Sequence, residues 1–134
     1  PALQQAPRPP GPAAGEPRVV LRLPEVLAIQ KPFGWEVDDA VAESRGLPLS
    51  RFAQAEAPRR RWPLLGDRAH QLGFLHRLDL PSSGLVLAAG SYRAFFALQL
   101  ELNSGGLARD YAVLCRGWLP PGRREVDAPL RWRG

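Results

Sequence analysis

The stretch from His76 to Ala89 constrains this chain more than any other part of its sequence. It begins His-Arg-Leu-Asp, passes through a proline and two serines, and continues from Gly84 as an unbroken apolar run. A short apolar run that turn residues precede is typical of a central strand. The stretch therefore predicts that an acid, Asp79, stands beside Arg77 at the edge of a packed sheet.

The length of the chain, 134 residues, is enough for one domain. Residues 1–17 contain six prolines and mostly Ala, Gly and Gln besides, and such a composition cannot repay the entropy of ordering. We therefore expect a disordered Pro-rich tail or linker over residues 1–17 and a single domain over residues 18–134. Pro7-Arg8-Pro9-Pro10 also fits a polyproline docking pattern, although a linker is favoured because this pattern is common in disordered segments. The first residue is Pro rather than Met, so we expect a fragment or a processed product.

Several apolar runs have the length and composition of strands. Residues 19–23 and 26–29 predict two strands separated by a proline, and residues 84–89 and 109–116 predict two more. Residues 72–75 predict a short strand that leads into His76. Between them, Lys31-Pro32-Phe33-Gly34 predicts a sharp, positively charged turn, since proline fixes φ and glycine permits a positive φ.

Helical periodicity occurs in two places. In residues 37–45 the apolar side chains recur at helical spacing, and Gly46 supplies a stop. A second helix is predicted after Ser91, whose hydroxyl can cap the first turn, with apolar residues at i, i+3 and i+7 from Phe95. Residues 48–71 show no period and contain prolines and many arginines, so they predict a mobile basic loop.

The charge of the chain favours an anionic partner. There are 18 basic and 13 acidic residues, a net charge of +5, and the basic residues include the run Arg59-Arg60-Arg61. All but one of the basic residues are arginines, which bind phosphate in a fork-shaped geometry and stack on bases. A GC-rich genome would produce the same arginine bias, and the two explanations are equally favoured.

Other classes of protein are excluded by composition. The single cysteine, Cys115, rules out an internal disulfide and a thiolate metal cluster, and its position in a predicted strand favours a buried apolar role. No window approaches the roughly 18 apolar residues of a membrane span, and residues 1–17 lack the apolar core of a secretion signal. His76 is predicted to orient its loop rather than to join a Ser-His-Asp triad or a metal site, because no matching motif or ligand spacing accompanies it.

Four segments, taken in order, resemble the RluA-type RNA pseudouridine synthases. The run His76-Arg77-Leu78-Asp79, followed by Ser-Ser-Gly-Leu, resembles the catalytic motif of that family, in which His-Arg-Leu-Asp precedes Thr-Ser-Gly-Leu. Lys31-Pro32-Phe33-Gly34 is similar to the family's Lys-Pro-x-Gly turn, residues 109–117 to its Lys-x-Tyr strand, and residues 126–130 to its Pro-Leu segment. The ordered set is specific although each match alone is weak. It implies an α+β fold with a mixed, mostly antiparallel central sheet and flanking helices.

The resemblance implies isomerisation of uridine to pseudouridine in structured RNA, either ribosomal or transfer RNA, after the target base has left the stack. Asp79 would be the essential nucleophile or base that acts on the ribose, where an isolated acid would otherwise form a turn. Tyr111 would stack on the flipped uracil and handle the proton at the newly joined carbon, unless it only fills a packing face. No cofactor is expected.

Three basic residues are implied to contact RNA. Arg77 would fill the gap that the flipped nucleotide leaves, and its alternative is a surface ion pair with a nearby acid. Arg109, which replaces the family's lysine, and Lys31 would face phosphate, with ordinary solvent exposure as an almost equal alternative. The expected partner is therefore RNA, without a metal or a membrane, and we expect a monomer within the cell.

The family pattern continues beyond what this chain contains. A further strand and helix there carry an Arg-x-His-Gln-Ile-Arg type motif, whose basic residue pairs with the catalytic acid, and no such motif precedes Gly134. We therefore expect a fold that is incomplete at its C-terminus, with an exposed sheet edge. Two hypotheses stay open: part of an RNA-modifying enzyme, or a non-catalytic RNA-binding remnant of one.

Overall fold

The computed structural model describes residues 15–38, 47–118, 120–123 and 125–129. In chain order its elements are β1 (Arg18–Arg22), β2 (Val26–Lys31), β3 (Trp35–Glu36), β4 (Leu47–Pro48), α1 (Leu49–Glu56), a 3₁₀ turn (Pro63–Gly66), a kinked 3₁₀ segment (Arg68–Gly73), β5 (Gly84–Ala89) and α2 (Tyr92–Ser104). The predicted α+β class, with an antiparallel sheet and helices beside it, is confirmed at this coarse level.

The described part of the chain has one three-stranded antiparallel sheet in the order β1-β2-β5. The proline between β1 and β2 allows the tight reversal in which the Leu23 amide donates to the Val26 carbonyl at 2.8 Å. Ile29 of β2 lies opposite Val86 of β5, and both are completely buried. The central strand is therefore β2, as its unbroken apolar composition requires.

Successive residues of a strand point to opposite faces of the sheet, and each face here carries its own apolar cluster. The larger cluster joins β2 and β5 to α1 and the 3₁₀ segments, and it includes Leu27, Trp62, Leu65, Phe74 and Ala88. The smaller cluster joins β5 to α2 and includes Leu64, Leu75, Ala89 and Phe95. Over the described residues, β5 is therefore packed on both faces near its Ala89 end, whereas the edge strand β1 is largely exposed.

The predicted loop over residues 48–71 is wrong, because this region is folded. Leu49 and Ala53 of α1 are fully buried, and Phe52 packs against the larger cluster. The apolar positions at i, i+3 and i+4 were present in the sequence, but they extend over only two turns between proline residues. A helix this short is stabilised by tertiary packing rather than by propensity.

The predicted strand over residues 72–75 is also wrong as an element. Gln71 and Leu72 adopt left-handed conformations, with φ of 54° and 53°, which are uncommon for residues other than glycine. The chain then becomes extended only at Phe74, which forms an isolated antiparallel bridge with Ala88 of β5. The kink turns the backbone too sharply for a strand to start earlier.

The predicted helix after Ser91 is confirmed. The Ser91 hydroxyl accepts a hydrogen bond from the Ala94 amide at 3.2 Å, and α2 ends at Gly105 in the left-handed conformation. Phe95 is buried, whereas Phe96 and Leu100 are more than half exposed. The apolar stripe that contacts the sheet is therefore narrower than the number of apolar residues in the helix suggests.

The predicted strand over residues 109–116 is wrong in this structure, and so is the buried position of Cys115. Residues 108–115 form no strand, and Tyr111, Val113, Leu114 and Cys115 are all exposed. A strand is stabilised by a neighbour that pairs with it, and none of the described strands pairs with these residues. Strand propensity is present here, but no strand in the described part of the chain supplies a hydrogen-bonding partner.

Two further expectations fall mainly outside the described residues. The helix predicted over residues 37–45 lies there except for Val37 and Asp38, which are not helical. Residues 1–14 of the predicted disordered tail also lie outside the described residues. Of the remaining tail residues, Pro17 is buried, and the Gly15 carbonyl accepts a hydrogen bond from the Trp35 indole at 3.1 Å. None of the described helices is long and apolar enough to cross a membrane.

Candidate active site

The loop that carries Asp79 is fastened to the turn after β2. The Gly34 amide donates a hydrogen bond to the Leu80 carbonyl at 2.9 Å. The ammonium of Lys31, the last residue of β2, donates to the carbonyl of Ser82 and, at 3.2 Å, to that of Pro32. The turn is sharp because Gly34 adopts a φ of 81°. Both motifs that the sequence singled out therefore meet at one end of the sheet.

Side chains of the loop alternate between the core and solvent. Leu78 packs against the larger apolar cluster and lies over Gly84, whereas Arg77 and Asp79 on either side of it are exposed. The Ser82 amide donates to the Asp79 carbonyl at 2.9 Å and closes the turn that follows. Asp79 is therefore held outward by a backbone that is anchored on both sides, as its place before a buried strand predicted.

Lys31 is fully buried, which is rare for a lysine. Burial lowers the pKa of its ammonium, and the negative charges of Asp79 and Glu36 oppose that shift. The Lys31 ammonium is buried and donates to two backbone carbonyls. It is therefore not exposed for the phosphate contact that the sequence predicted. The structure instead places Lys31 as a cation beneath the loop that carries Asp79.

Arg77 forms an ion pair with Asp38 at 3.4 Å. The Arg77 side chain is 58% exposed, whereas the Asp38 side chain is only 12% exposed. Asp38 is fixed in place because the preceding residue, Val37, is buried and its carbonyl accepts from the Ser50 amide at the start of α1. The alternative considered for Arg77, an ion pair with a nearby acid, is thus present in the structure.

His76 is partly buried, and its Nδ1 atom is buried without a hydrogen-bond partner among the described residues. Burial lowers the pKa of the imidazole, the positive charge of Arg109 lowers it further, and a backbone contact with Arg77 works in the opposite direction. A neutral imidazole at this position agrees with an orienting role rather than with a charged one.

A cleft with a volume of about 750 Å³ lies beside this loop, a size common for small-molecule sites. Ser82, Ser83 and Gly84 line one side, and residues 107–114, including Arg109 and Tyr111, line the other. Two residues of the predicted site, Tyr111 and Arg109, are therefore brought to the flank of the loop. Asp79 and Arg77 are not among the residues that line the cleft.

Some features of the site were not visible in the sequence. Asp38 falls within the helix predicted over residues 37–45, and nothing in the local pattern marked it as the partner of Arg77. A second polar cluster also exists, in which Asp67 accepts from the His70 imidazole at 2.8 Å and from the Tyr92 hydroxyl at 2.7 Å. The Tyr92 and His70 bonds lower the pKa of Asp67, and the bond to Asp67 raises the pKa of Tyr92. This cluster joins the kinked segment to α2, away from the cleft.

No group of three His, Cys, Asp or Glu side chains in the described part of the chain is placed to hold a metal ion. The chemistry available at the cleft is that of the Asp110 carboxylate, the Tyr111 phenol, the Arg109 guanidinium and serine hydroxyls. These groups can bind an anionic, hydroxyl-bearing ligand with an aromatic ring.

Comparison with known proteins gives a consistent result over most of the chain. Residues 25–130 match the family model described as RNA pseudouridylate synthase. The ribosomal large subunit pseudouridine synthase C of Escherichia coli K12 is 33% identical over 105 residues, which are 78% of this chain and 30% of that protein. An uncharacterized RNA pseudouridine synthase of Mycobacterium bovis is 35% identical over 63 residues, 46% of this chain and 20% of that protein.

The chain spans less than a third of the length of these relatives. No solved structure matches it significantly. The matched range, residues 25–130, includes both the loop of Asp79 and the segment of Tyr111.

Proposed function

The chain belongs to the RNA pseudouridylate synthase family, and we propose that it serves the isomerisation of uridine to pseudouridine in structured RNA. The observation that carries this proposal is the outward presentation of Asp79 on a loop fastened by Lys31 and Gly34, beside a cleft that Tyr111 lines. Because the E. coli relative is named for the large ribosomal subunit, large-subunit ribosomal RNA is the first substrate to test, and transfer RNA is the second.

The proposed reaction begins with a uridine that leaves the stack and enters the cleft, at a cost of a few kcal/mol. The Asp79 carboxylate then acts on the ribose as nucleophile or base, and the bond from the sugar to the ring nitrogen breaks. The uracil turns, and a ring carbon joins the sugar as the carboxylate either leaves the sugar or returns the proton that it took. That ring carbon then loses its proton, and the ring nitrogen gains one. Substrate and product are isomers, so no cofactor is consumed.

Tyr111 and Arg109 are proposed to contact the substrate from the other side of the cleft. The Tyr111 ring would stack on the flipped base and its hydroxyl would handle the proton of the newly joined carbon. Arg109 would bind a phosphate beside it, since a guanidinium matches two phosphate oxygens. Support for both roles comes from their position on the cleft wall.

Arg77 is proposed to exchange partners when RNA binds. In the structure its guanidinium is paired with Asp38 at 3.4 Å and is more than half exposed, so the Arg77 side of the pair is open to RNA. An RNA phosphate, or the gap that the flipped nucleotide leaves in the RNA, can therefore compete with Asp38 for the Arg77 side chain. Lys31 takes no part in this contact and is proposed to fix the loop from below.

A second candidate, binding of RNA without chemistry, has its own supporting observation. Tyr111 is 61% exposed on a segment that pairs with none of the described strands, and Asp79 does not line the cleft. A chain in which these groups stay apart would bind RNA and not modify it.

The direct test is incubation of the chain with uridine-containing RNA, followed by detection of carbodiimide adducts that resist mild alkali. We expect pseudouridine from the chain and none from Asp79→Asn, while Asp127→Asn, which makes the same chemical change at an exposed acid of the C-terminal segment, retains activity. Equal product from Asp79→Asn would refute the role of Asp79. Absence of product from the unchanged chain, together with RNA binding, would establish the second candidate.

A further inference from the structure

We propose that the turn formed by residues 58–62, here called the arginine turn, is a second RNA-binding surface that holds phosphates outside the cleft. This inference rests on the proposed function only for the identity of the anion. The surface itself follows from the geometry and charge of the turn.

The arginine turn has a defined backbone. The amides of Arg61 and Trp62 both donate to the Pro58 carbonyl, at 2.9 and 3.1 Å. Trp62 is buried in the larger apolar cluster, and its indole lies so close to Gly90 that a Cβ added there would overlap it. The turn is thereby fixed to the end of β5 rather than being free to move.

The three arginines of the turn differ in their surroundings. The Arg59 guanidinium lies against Gly66, 3.3 Å from where a Cβ would stand, and it lines a small pocket with Gln54 and Trp62. Arg60 and Arg61 are exposed, and neither forms an ion pair with any other described residue. Two guanidinium groups are therefore presented outward from a rigid base.

Acids near the turn have other partners. Glu56, at the end of α1, is paired with Arg22 at 2.8 Å, and its carbonyl accepts from the same guanidinium at 2.9 Å. Asp67, beyond the 3₁₀ turn, is bonded to His70 and Tyr92. The positive charge of Arg60 and Arg61 is therefore not cancelled by the neighbouring carboxylates, which leaves it available to an external polyanion.

The position of the turn suits a contact with structured RNA. The loop of Asp79 precedes β5, and Trp62 packs at the residue that follows β5. A strand of this length separates the two by about 17 Å, a distance over which a nucleic-acid duplex carries on the order of ten phosphates. A structured RNA that contacts the cleft and continues around the Gly90 end of β5 would reach the arginine turn.

The test compares two double variants with the same change of charge. Arg60→Gln/Arg61→Gln removes the exposed pair of the turn, and Arg18→Gln/Arg93→Gln removes two exposed arginines elsewhere, one of which is paired with Glu25. Binding of a labelled hairpin from large-subunit ribosomal RNA is measured by fluorescence anisotropy between about 50 and 200 mM KCl. Circular dichroism of each variant confirms folding.

We expect Arg60→Gln/Arg61→Gln to weaken binding several-fold and to flatten the dependence of log K on log salt by about 2, one phosphate contact for each arginine lost. The Arg18 and Arg93 control is expected to leave the slope nearly unchanged. Equal losses in both variants would show a nonspecific charge effect, and no loss in either would show that RNA does not touch the turn; each result overturns the proposal. Because binding is measured without turnover, a chain that forms no pseudouridine but shows this pattern refutes only the proposed function.

Discussion

The sheet with its covering helices and the segment of residues 107–118 contain similar apolar residues, but these are buried in the first region and exposed in the second. In the first region Ile29, Phe74 and Val86 are buried between two layers. In the second, Val113 and Leu114 are as apolar, yet Leu114 is completely exposed and no described strand pairs with the segment. Apolar alternation alone therefore does not make a strand, because a hydrogen-bonding edge and a face to cover are also needed.

The same contrast divides the candidate site. Asp79 and Arg77 are carried by the packed region, where Lys31 and Leu78 fix the loop. Tyr111 and Arg109 are carried by the exposed segment. Half of the candidate site thus has a packed support, and the other half lies on residues 107–118, which pair with none of the described strands.

The largest expected difference between the two regions is in the free energy of unfolding. Phe74→Ala should destabilise the chain by about 3–5 kcal/mol, because a fully buried ring is lost and a cavity remains. Leu114→Ala should change the stability by less than about 0.5 kcal/mol. Urea unfolding followed by circular dichroism measures both. A comparable loss in Leu114→Ala would show that the segment is packed in solution.

A smaller difference is expected between the cations of the two regions. Lys31→Met should cost about 1–3 kcal/mol, because the Ser82 and Pro32 carbonyls lose their charged donor. Arg109→Met, on the exposed segment, should leave the free energy of unfolding unchanged. If the two substitutions prove equally harmless, Lys31 does not hold the loop, and the support assigned to Asp79 would have to be sought elsewhere.

Between the two ends of α2, the expected difference in the free energy of unfolding is about 1 kcal/mol. Ser91→Ala removes the hydroxyl that accepts from the Ala94 amide and should destabilise the chain by that amount. Ser104→Ala, at the end that leads into the exposed segment, removes a donor to the Glu101 carbonyl at 3.3 Å and should have little effect. Thermal melts of the two variants give the comparison. A larger loss of stability in Ser104→Ala than in Ser91→Ala would contradict this prediction, because it would show that the C-terminal end of α2 contributes more than the N-terminal cap.

The smallest effect is expected at the boundary of the two regions, in the pH dependence contributed by His76. Its pKa is lowered by burial and by Arg109, so the unfolded state binds more protons below the ordinary value of 6.5. Stability from this group is fully present above pH 6.5 and is lost as the pH falls toward the lowered pKa. His76→Gln should remove this part of the acid-side loss, as urea midpoints from pH 5 to 7 would show. An identical pH profile would mean that the imidazole is solvated.

Elements with a long regular pattern were predictable from sequence. The run Gly84–Ala89 and the cap, stripe and stop of α2 gave bounds that agree with the structure. The region from Leu49 to Gly73 was misjudged because its helix has only eight residues and its backbone contains a left-handed kink that no residue type there announces. Segment 109–116 was misjudged for the opposite reason, since its local pattern was strong and its partner was missing.

The candidate site shows the same division. The exposure of Arg77 and Asp79 on either side of an inward Leu78 follows from alternation along an extended chain. The pairing of Arg77 with Asp38 and the burial of Lys31 depend on how separate elements pack, so neither could be obtained from spacing. The sequence singled out Asp79 as the proposed reacting group, and only the tertiary structure shows what holds its loop.

The contact between Trp62 and Gly90 links two positions that are far apart in the chain. The indole occupies the space in which any side chain at position 90 would stand. The two positions should therefore be substituted together during evolution, because a larger residue at position 90 requires a smaller one at position 62. Homologues should show this reciprocal exchange between the two positions. Where it does not occur, we expect that the arginine turn no longer packs against the end of β5.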